Sequence, residues 1–553
     1  MLELETGTQA TVDAPASARL QAMRNWQRNL EALAGTQADL AGSLSPMNAG
    51  IEWVFARDGA LTALEDQKWW GGCSVPLKAA EELLRTLEIT ASTACFLVPS
   101  HWGQIETALR RLKPEQAVVA LVGRFDDLRL MLQCRDFAND ISAHRLWFCA
   151  GDAWAAQMAG LFRSNHGLAI PQQFIRTALF SDETSTTLIA TAQKIFSEEF
   201  NRRSLAISEL RKTRSRQRGN KRKRITLAAP MRFRLWDDAG SILRKIMADD
   251  SSFEWTVINF DDPIHASPSA LAHAAAESDV VVAANLTRAH CAQLLGPEIP
   301  LISWLTKHAI PSFETAAPHD TLLLSDDYSL ELAKKSGWPA NRLELASWPS
   351  IARSSASNSI SIIADTRPID PSPPFELSSH QLLWDLIRAE LQNNPAIISY
   401  DLMAYLHARM KRLGVAEQGL EQRRFVDDLI IPAWQQSVAN HLLNSKLPLH
   451  FFGRGWADIP TFAPRAAGAI HQREQLTHAI SNSAALIHIW PSGLAHPIDT
   501  AGPPVIRLAS RGLAGLIADA RLALAGRLKP APPAADSLDK VSIARTLRAI
   551  LAS

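Results

Sequence analysis

Apolar residues in this chain come in short runs, separated by stretches with helical spacing, and the two patterns alternate in three successive regions. Between 50 and 182, apolar runs at 94–99, 117–123 and 144–150 alternate with helical segments at 75–87, 102–112, 126–133 and 152–162. Such alternation predicts the strands of a parallel sheet joined by crossover helices. It restarts at Ile225, with strands expected at 225–229, 255–260, 279–284, 300–304, 321–324 and 343–346 and helices near 238–247, 267–276, 287–294 and 327–335. A third unit opens on Ser359-Ile-Ser-Ile-Ile-Ala364-Asp365 and resumes at 448–452, 484–490 and 504–508. Its sheet is interrupted over 378–446, where Leu382, Leu386, Leu391 and then Leu402, Leu406, Met410 recur at helical intervals, which predicts a helical insertion.

The predicted organisation is therefore an N-terminal helical segment (1–49), an α/β domain (50–182), a helix and basic linker (183–224), two Rossmann-like domains (225–352 and 353–530) and a C-terminal helix within 531–553. A chain of 553 residues exceeds what one core holds, and 47% hydrophobic with 20% charged residues is an ordinary globular composition. The formal charge of +1 excludes a net field that would draw the whole molecule to nucleic acid or membrane. Five scattered cysteines read as reduced core thiols. The start lacks a basic segment followed by an apolar one, so a cytoplasmic protein is expected. The most apolar long stretch, 269–287, is broken by His273, Glu277 and Asp279, which argues against a membrane span.

Charge concentrates in one place. Nine of the fourteen residues 211–224 are Lys or Arg and none is acidic. Such a run serves either as a handle for nucleic acid or as a solvated hinge. No aromatic residue interleaves to stack on bases, so strong nucleic-acid binding is not expected.

Several chemistries lack their signatures. The first strand of the front domain runs into Pro99-Ser100-His101-Trp102-Gly103, not the three-glycine turn that lets backbone approach a dinucleotide, so that domain reads as structural or acceptor-recognising. No zinc spacing, Walker loop or Gly-x-Ser-x-Gly elbow occurs, and neither metal nor cofactor is expected. In Trp236-Asp237-Asp238 the carboxylates read as helix caps. The informative series lies in the last unit. Phe452-Gly453-Arg454-Gly455-Trp456 follows a strand, with glycines that would bring backbone N–H groups near a phosphate. Ile470-His471-Gln472-Arg473-Glu474-Gln475-Leu476 comes next, then Ala485-Leu-Ile-His-Ile-Trp490-Pro491-Ser492 and Asp499-Thr500-Ala501-Gly502-Pro-Pro-Val505-Ile506.

This ordered series resembles the C-terminal half of GT-B glycosyltransferases, in particular the retaining superfamily of spore-maturation-protein-like enzymes. By motif the likeness covers 448–508, and by architecture 225–520. It implies two GT-B domains, a nucleotide-sugar donor on the second, and a glycan, protein or lipid acceptor facing the first. On that reading Gly453, Gly455, Trp456, His471, Ser492, His496, Asp499, Thr500 and Gly502 hold the donor, while Arg454, Arg473 and His308 are the catalytic candidates. His308, after the strand Pro300–Trp304, would orient an acceptor hydroxyl or stabilise the leaving phosphate. The diphosphate would sit at a helix N-terminus, without metal. Where the family's helix carries a ribose-holding Glu, this chain has Pro497, with Asp499 two residues on; the alternative is a GT-B scaffold that binds without catalysing. The front domain, at Pro99–Gly103 and Leu121-Val122-Gly123-Arg124, resembles the leading α/β region of motility-associated flagellin glycosyltransferases.

Overall fold

A computed structural model describes residues 14–46, 50–177, 182–213, 224–232, 235, 238–248, 253–306, 310–324, 327–346, 358–371, 373, 375, 377–398, 402–416, 420–489, 503–508 and 512–528. His308, most of the basic run and the expected helix at 537–551 lie outside the described residues. The chain is a mixed α/β protein with several parallel sheets. It divides into two compact units, one of Met1–Ala228, Thr256–Ser278 and Ala292–Gly296, the other of Ala229–Trp255, Asp279–Cys291 and Pro297–Ser553.

The first unit opens with helix Ala14–Thr36 and an antiparallel ribbon of β1 (Ile51–Phe55), β2 (Leu61–Glu65) and β3 (Lys68–Trp69), which the apolar pattern did not predict. The expected parallel strands follow as β4 (Thr93–Leu97), β5 (Ala117–Val122) and β6 (Leu146–Ala150), joined by a short β7 (Gln173–Ile175) in the order β6-β5-β4-β7. Every residue of β4, β5 and β6 is buried, as expected of parallel strands covered on both faces. Helix Ala14–Thr36 is part of this core: Ala18, Ala22, Trp26 and Leu33 join Phe96, Val118 and Phe148. Its buried Asn29 donates to the carbonyls of Leu132 and Arg135 and accepts from the Phe137 N–H, all at 2.7 Å. Helix Asp182–Thr213 then packs on helices Trp154–Ser164 and Pro268–Ala276.

The second region yields β8 (Arg224–Ala229), β9 (Glu254–Asn259), β10 (Val280–Ala284), β11 (Leu301–Leu305), β12 (Thr321–Leu324) and β13 (Leu343–Leu345), in the order β13-β12-β11-β10-β8-β9. Asp320, just before β12, accepts from the N–H groups of Leu301 and Ala317 and pairs with Arg288 at 2.5 Å, both side chains being buried. The cavity beside this pair encloses about 10 Å³, room for about one water. It lies at the amino ends of β11 and β12, away from the strand ends where such sheets bind ligands.

The third sheet comprises β14 (Ile360–Ile363), β15 (Leu449–Phe452), β16 (Ala466–Gly468), β17 (Ala485–His488) and β18 (Val505–Arg507), all parallel, in the order β16-β15-β14-β17-β18. The insertion is helical as expected: Ser378–Asn393, Leu402–Leu413, Gln422–Arg424, a π-helical turn Phe425–Ile430, and Ile431–Asn444. Its own core gathers Leu383, Trp384, Ile387, Leu406, Phe425 and Leu429. Among the described residues no helix is long and apolar enough to cross a membrane.

Candidate functional site

The third sheet runs outward from β14 through β15 to β16, then returns to add β17 and β18 on the other side of β14. Strand order therefore reverses between β14 and β17, and doubly wound sheets bind ligands in the crevice that such a reversal opens at the carboxyl ends. The chain leaving β17 is described only to Ile489, so Ser492, His496, Asp499, Thr500 and Gly502 lie outside the described residues. The chain leaving β14 and β15 forms a built rim. Ala364 N–H donates to Phe452 O at 2.9 Å, and Thr366 N–H donates to Arg454 O at 2.9 Å, so the two exit loops continue the sheet's pairing beyond its strands.

Gly453 and Gly455 serve this close approach. Their φ angles of 125° and 84° lie where side chains are rarely tolerated, and a Cβ at either would overlap the carbonyl of Ala364 or Thr366. Tight packing of the two loops requires glycine at both positions. Trp456 is fully buried against Phe451 and Phe462, with its indole N–H donating to Ala364 O at 2.6 Å. Its side chain belongs to the core of the third sheet. Gly455→Ala is expected to lower stability by at least about 1–3 kcal/mol, the usual cost of a strained backbone position. Urea unfolding checks this, and an unchanged midpoint would mean that the loops part without strain.

Two expected cations stand on this rim, each already facing a carboxylate. Arg454 donates from its backbone N–H to Asp365 Oδ1 at 2.8 Å and from its guanidinium to Oδ2 at 3.1 Å. Arg473, the first residue of helix Arg473–Ser481, meets Asp238 Oδ2 at 2.6 Å. Asp238 is buried, also accepts from the Ser241 hydroxyl, and its carbonyl accepts from the Ile242 N–H at the start of helix Ala239–Ala248. His471 is exposed, its N–H donating to Gln475 Oε1 at 2.7 Å. Gln472 makes no side-chain cap to the helix that follows. The β14 exit is braced further by Arg367, whose guanidinium meets Asp428 at 2.6 Å and whose carbonyl accepts from Gln436. Thr366 Oγ1 is buried on this loop without a hydrogen-bond partner among the described residues.

Asp365 was the residue missed. It follows an obvious strand, but its partner is 89 positions away, and no local spacing announces such a pair. Asn285 was missed as well. It leaves β10 at φ 55° and is tied to Thr306 at the end of β11, with Nδ2 donating to Oγ1 at 2.8 Å and Oδ1 accepting from the Thr306 N–H at 2.9 Å. In the front domain, His101 Nδ1 accepts from the Gly103 N–H at 3.1 Å as a helix cap, and Trp102 donates to Leu61 O. Burial, opposed by Asp58, lowers His101 to about 4, so it is neutral at pH 7. Among the described residues no group of three or more His, Cys, Asp or Glu is placed to hold a metal.

No family model matches the chain, and no curated protein matches it. Among solved structures it is similar to the MAf glycosyltransferase from Magnetospirillum magneticum AMB-1, at 12% identity and a TM-score of 0.24. That likeness covers 55% of this chain and 56% of the other, so the chain spans about half the length of the structure it matches.

Proposed function

We propose that this chain is a glycosyltransferase-like protein of GT-B type, taking a nucleotide-sugar donor at the carboxyl edge of the third sheet. The reading is carried by the reversal of strand order between β14 and β17, whose rim presents Asp365, Arg454 and Arg473. Helix Arg473–Ser481 begins on that rim, and its first N–H groups with the positive end of its dipole suit an anionic diphosphate. The segment from Ser492 to Gly502 would complete the donor site, His308 would face the acceptor, and the transfer would run without metal.

A specific observation favours a second reading, a scaffold that binds without catalysing: Arg454 and Arg473 are each neutralised by a carboxylate before any donor arrives. Calorimetric titration with UDP, GDP, ADP and their common sugars separates the possibilities. Saturable heat from one of them is expected. Absence of heat from all of them at millimolar concentration would remove the donor site, and binding without any transfer or hydrolysis of the sugar would favour the scaffold.

A further inference from the structure

Within the first unit, two histidines meet where the loop after helix Trp154–Ser164 approaches helix Pro268–Ala276. His166, on the loop, and His273, on the helix, face each other with ring centroids 4.2 Å apart and planes tilted by 41°. Neither ring has a carboxylate within hydrogen-bonding reach among the described residues. The loop is otherwise firmly held. Its Gly167 carbonyl accepts from the Ser267 N–H at 2.7 Å, and buried Arg203, from helix Asp182–Thr213, donates to the carbonyls of Phe162, Asn165 and Leu168.

The charges around the ring pair are mostly positive. Arg202 and Arg203 share a single carboxylate, Glu199, at 2.6 and 2.8 Å. His265 lies on the His166 side, its Nδ1 accepting from the Asn259 N–H at 3.2 Å. Beyond it, His144 meets Asp262 at 3.2 Å. The acid acting on His273 is Glu277, exposed at the end of its helix. A proton added to either facing ring therefore enters a site with two guanidiniums nearby and, among the described residues, no carboxylate in contact.

We propose that the His166–His273 contact is a pH-sensitive latch, closed while both rings are neutral and driven open when they are protonated in mildly acidic conditions. Burial first, and then the positive groups around them, hold both imidazoles below their ordinary value of 6.5. Opening restores the ordinary value, so the opened form binds more protons. The latch keeps its full strength above about pH 6.5 and weakens as pH falls towards the closed-state values, below which no further loss accrues. Burial pushes Asp262 up, but His144 and the Ile264 N–H outweigh it and leave this carboxyl below its ordinary 3.8. Its contribution is therefore lost only under far more acidic conditions, outside the latch's range.

Hydrogen exchange of the full chain between pH 7.5 and 5, corrected for intrinsic rates, tests this on peptides covering 165–168 and 268–276. Below pH 6.5 the opening constant there should rise by up to about tenfold per pH unit for one histidine and about a hundredfold for two, while β4–β6 stay protected. The doubly substituted His166→Asn, His273→Asn chain should lose that slope, and His273→Lys should open the segment already at pH 7.5. A flat wild-type profile overturns the latch without any variant, and so does an unchanged slope in the double variant.

Discussion

Asp320→Ala is expected to destabilise the chain by about 3–5 kcal/mol, the cost of breaking a buried ion pair by removing one partner. Arg288 and Asp320 are 6% and 3% exposed, and the carboxylate accepts the Arg288 Nε–H and Nη2–H as well as two backbone N–H groups. The variant leaves the buried guanidinium without its counter-charge, and takes the carboxylate acceptor from the Leu301 and Ala317 N–H groups. Hydrogen exchange across β11 and β12, with urea unfolding of the whole chain, measures the loss. Replacing both partners by apolar residues, Asp320→Leu with Arg288→Met, should recover much of it, because a well-packed apolar pair carries no desolvation cost. A loss below about 1 kcal/mol in the single variant would show that water reaches the pair, as it does at surface salt bridges.

Runs such as Ala117–Val122 and Val280–Ala284 are apolar at every position, and burial on both faces leaves few alternatives to a parallel strand. Their boundaries were accordingly close, as were those of β12 and helix Asp327–Lys335. The ribbon of β1 to β3 escaped because it is held by antiparallel pairing, and its mixed burial imitates no crossover pattern. The start of the third sheet was read correctly from Ile360–Ile363, whereas the role of the next residues was not, since Asp365 and Arg454 meet only after a helical insertion. Gly453 and Gly455 stood out for a sound reason, their need for positive φ, but that need arises from chain packing. A glycine pattern records that something comes close; it does not record what.

That distinction bears on the two arginines, which should differ when each is changed to alanine. In the proposed transfer, departure of a nucleoside diphosphate develops negative charge, and without metal the neutralising groups would be helix N–H donors and cationic side chains. Arg454 is 70% exposed, and its pair with Asp365 adds only about 0–1 kcal/mol to stability. Arg454→Ala should therefore leave unfolding nearly unchanged while lowering donor turnover by roughly one to three powers of ten, the range for losing one charge-stabilising group. Arg473 is 27% exposed and faces a carboxylate that is 1% exposed, so Arg473→Ala takes the counter-charge from a buried carboxylate. It should lower turnover by a similar factor and also lower the unfolding midpoint, and Arg473→Ala with Asp238→Asn should restore the midpoint without restoring turnover. Turnover at saturating donor, urea unfolding and a chelator control give the three readouts. A strict Mg²⁺ or Mn²⁺ requirement, or full turnover in both single variants, would put the diphosphate elsewhere. Recovery of turnover together with stability in the double variant would reduce Arg473 to a structural partner of Asp238.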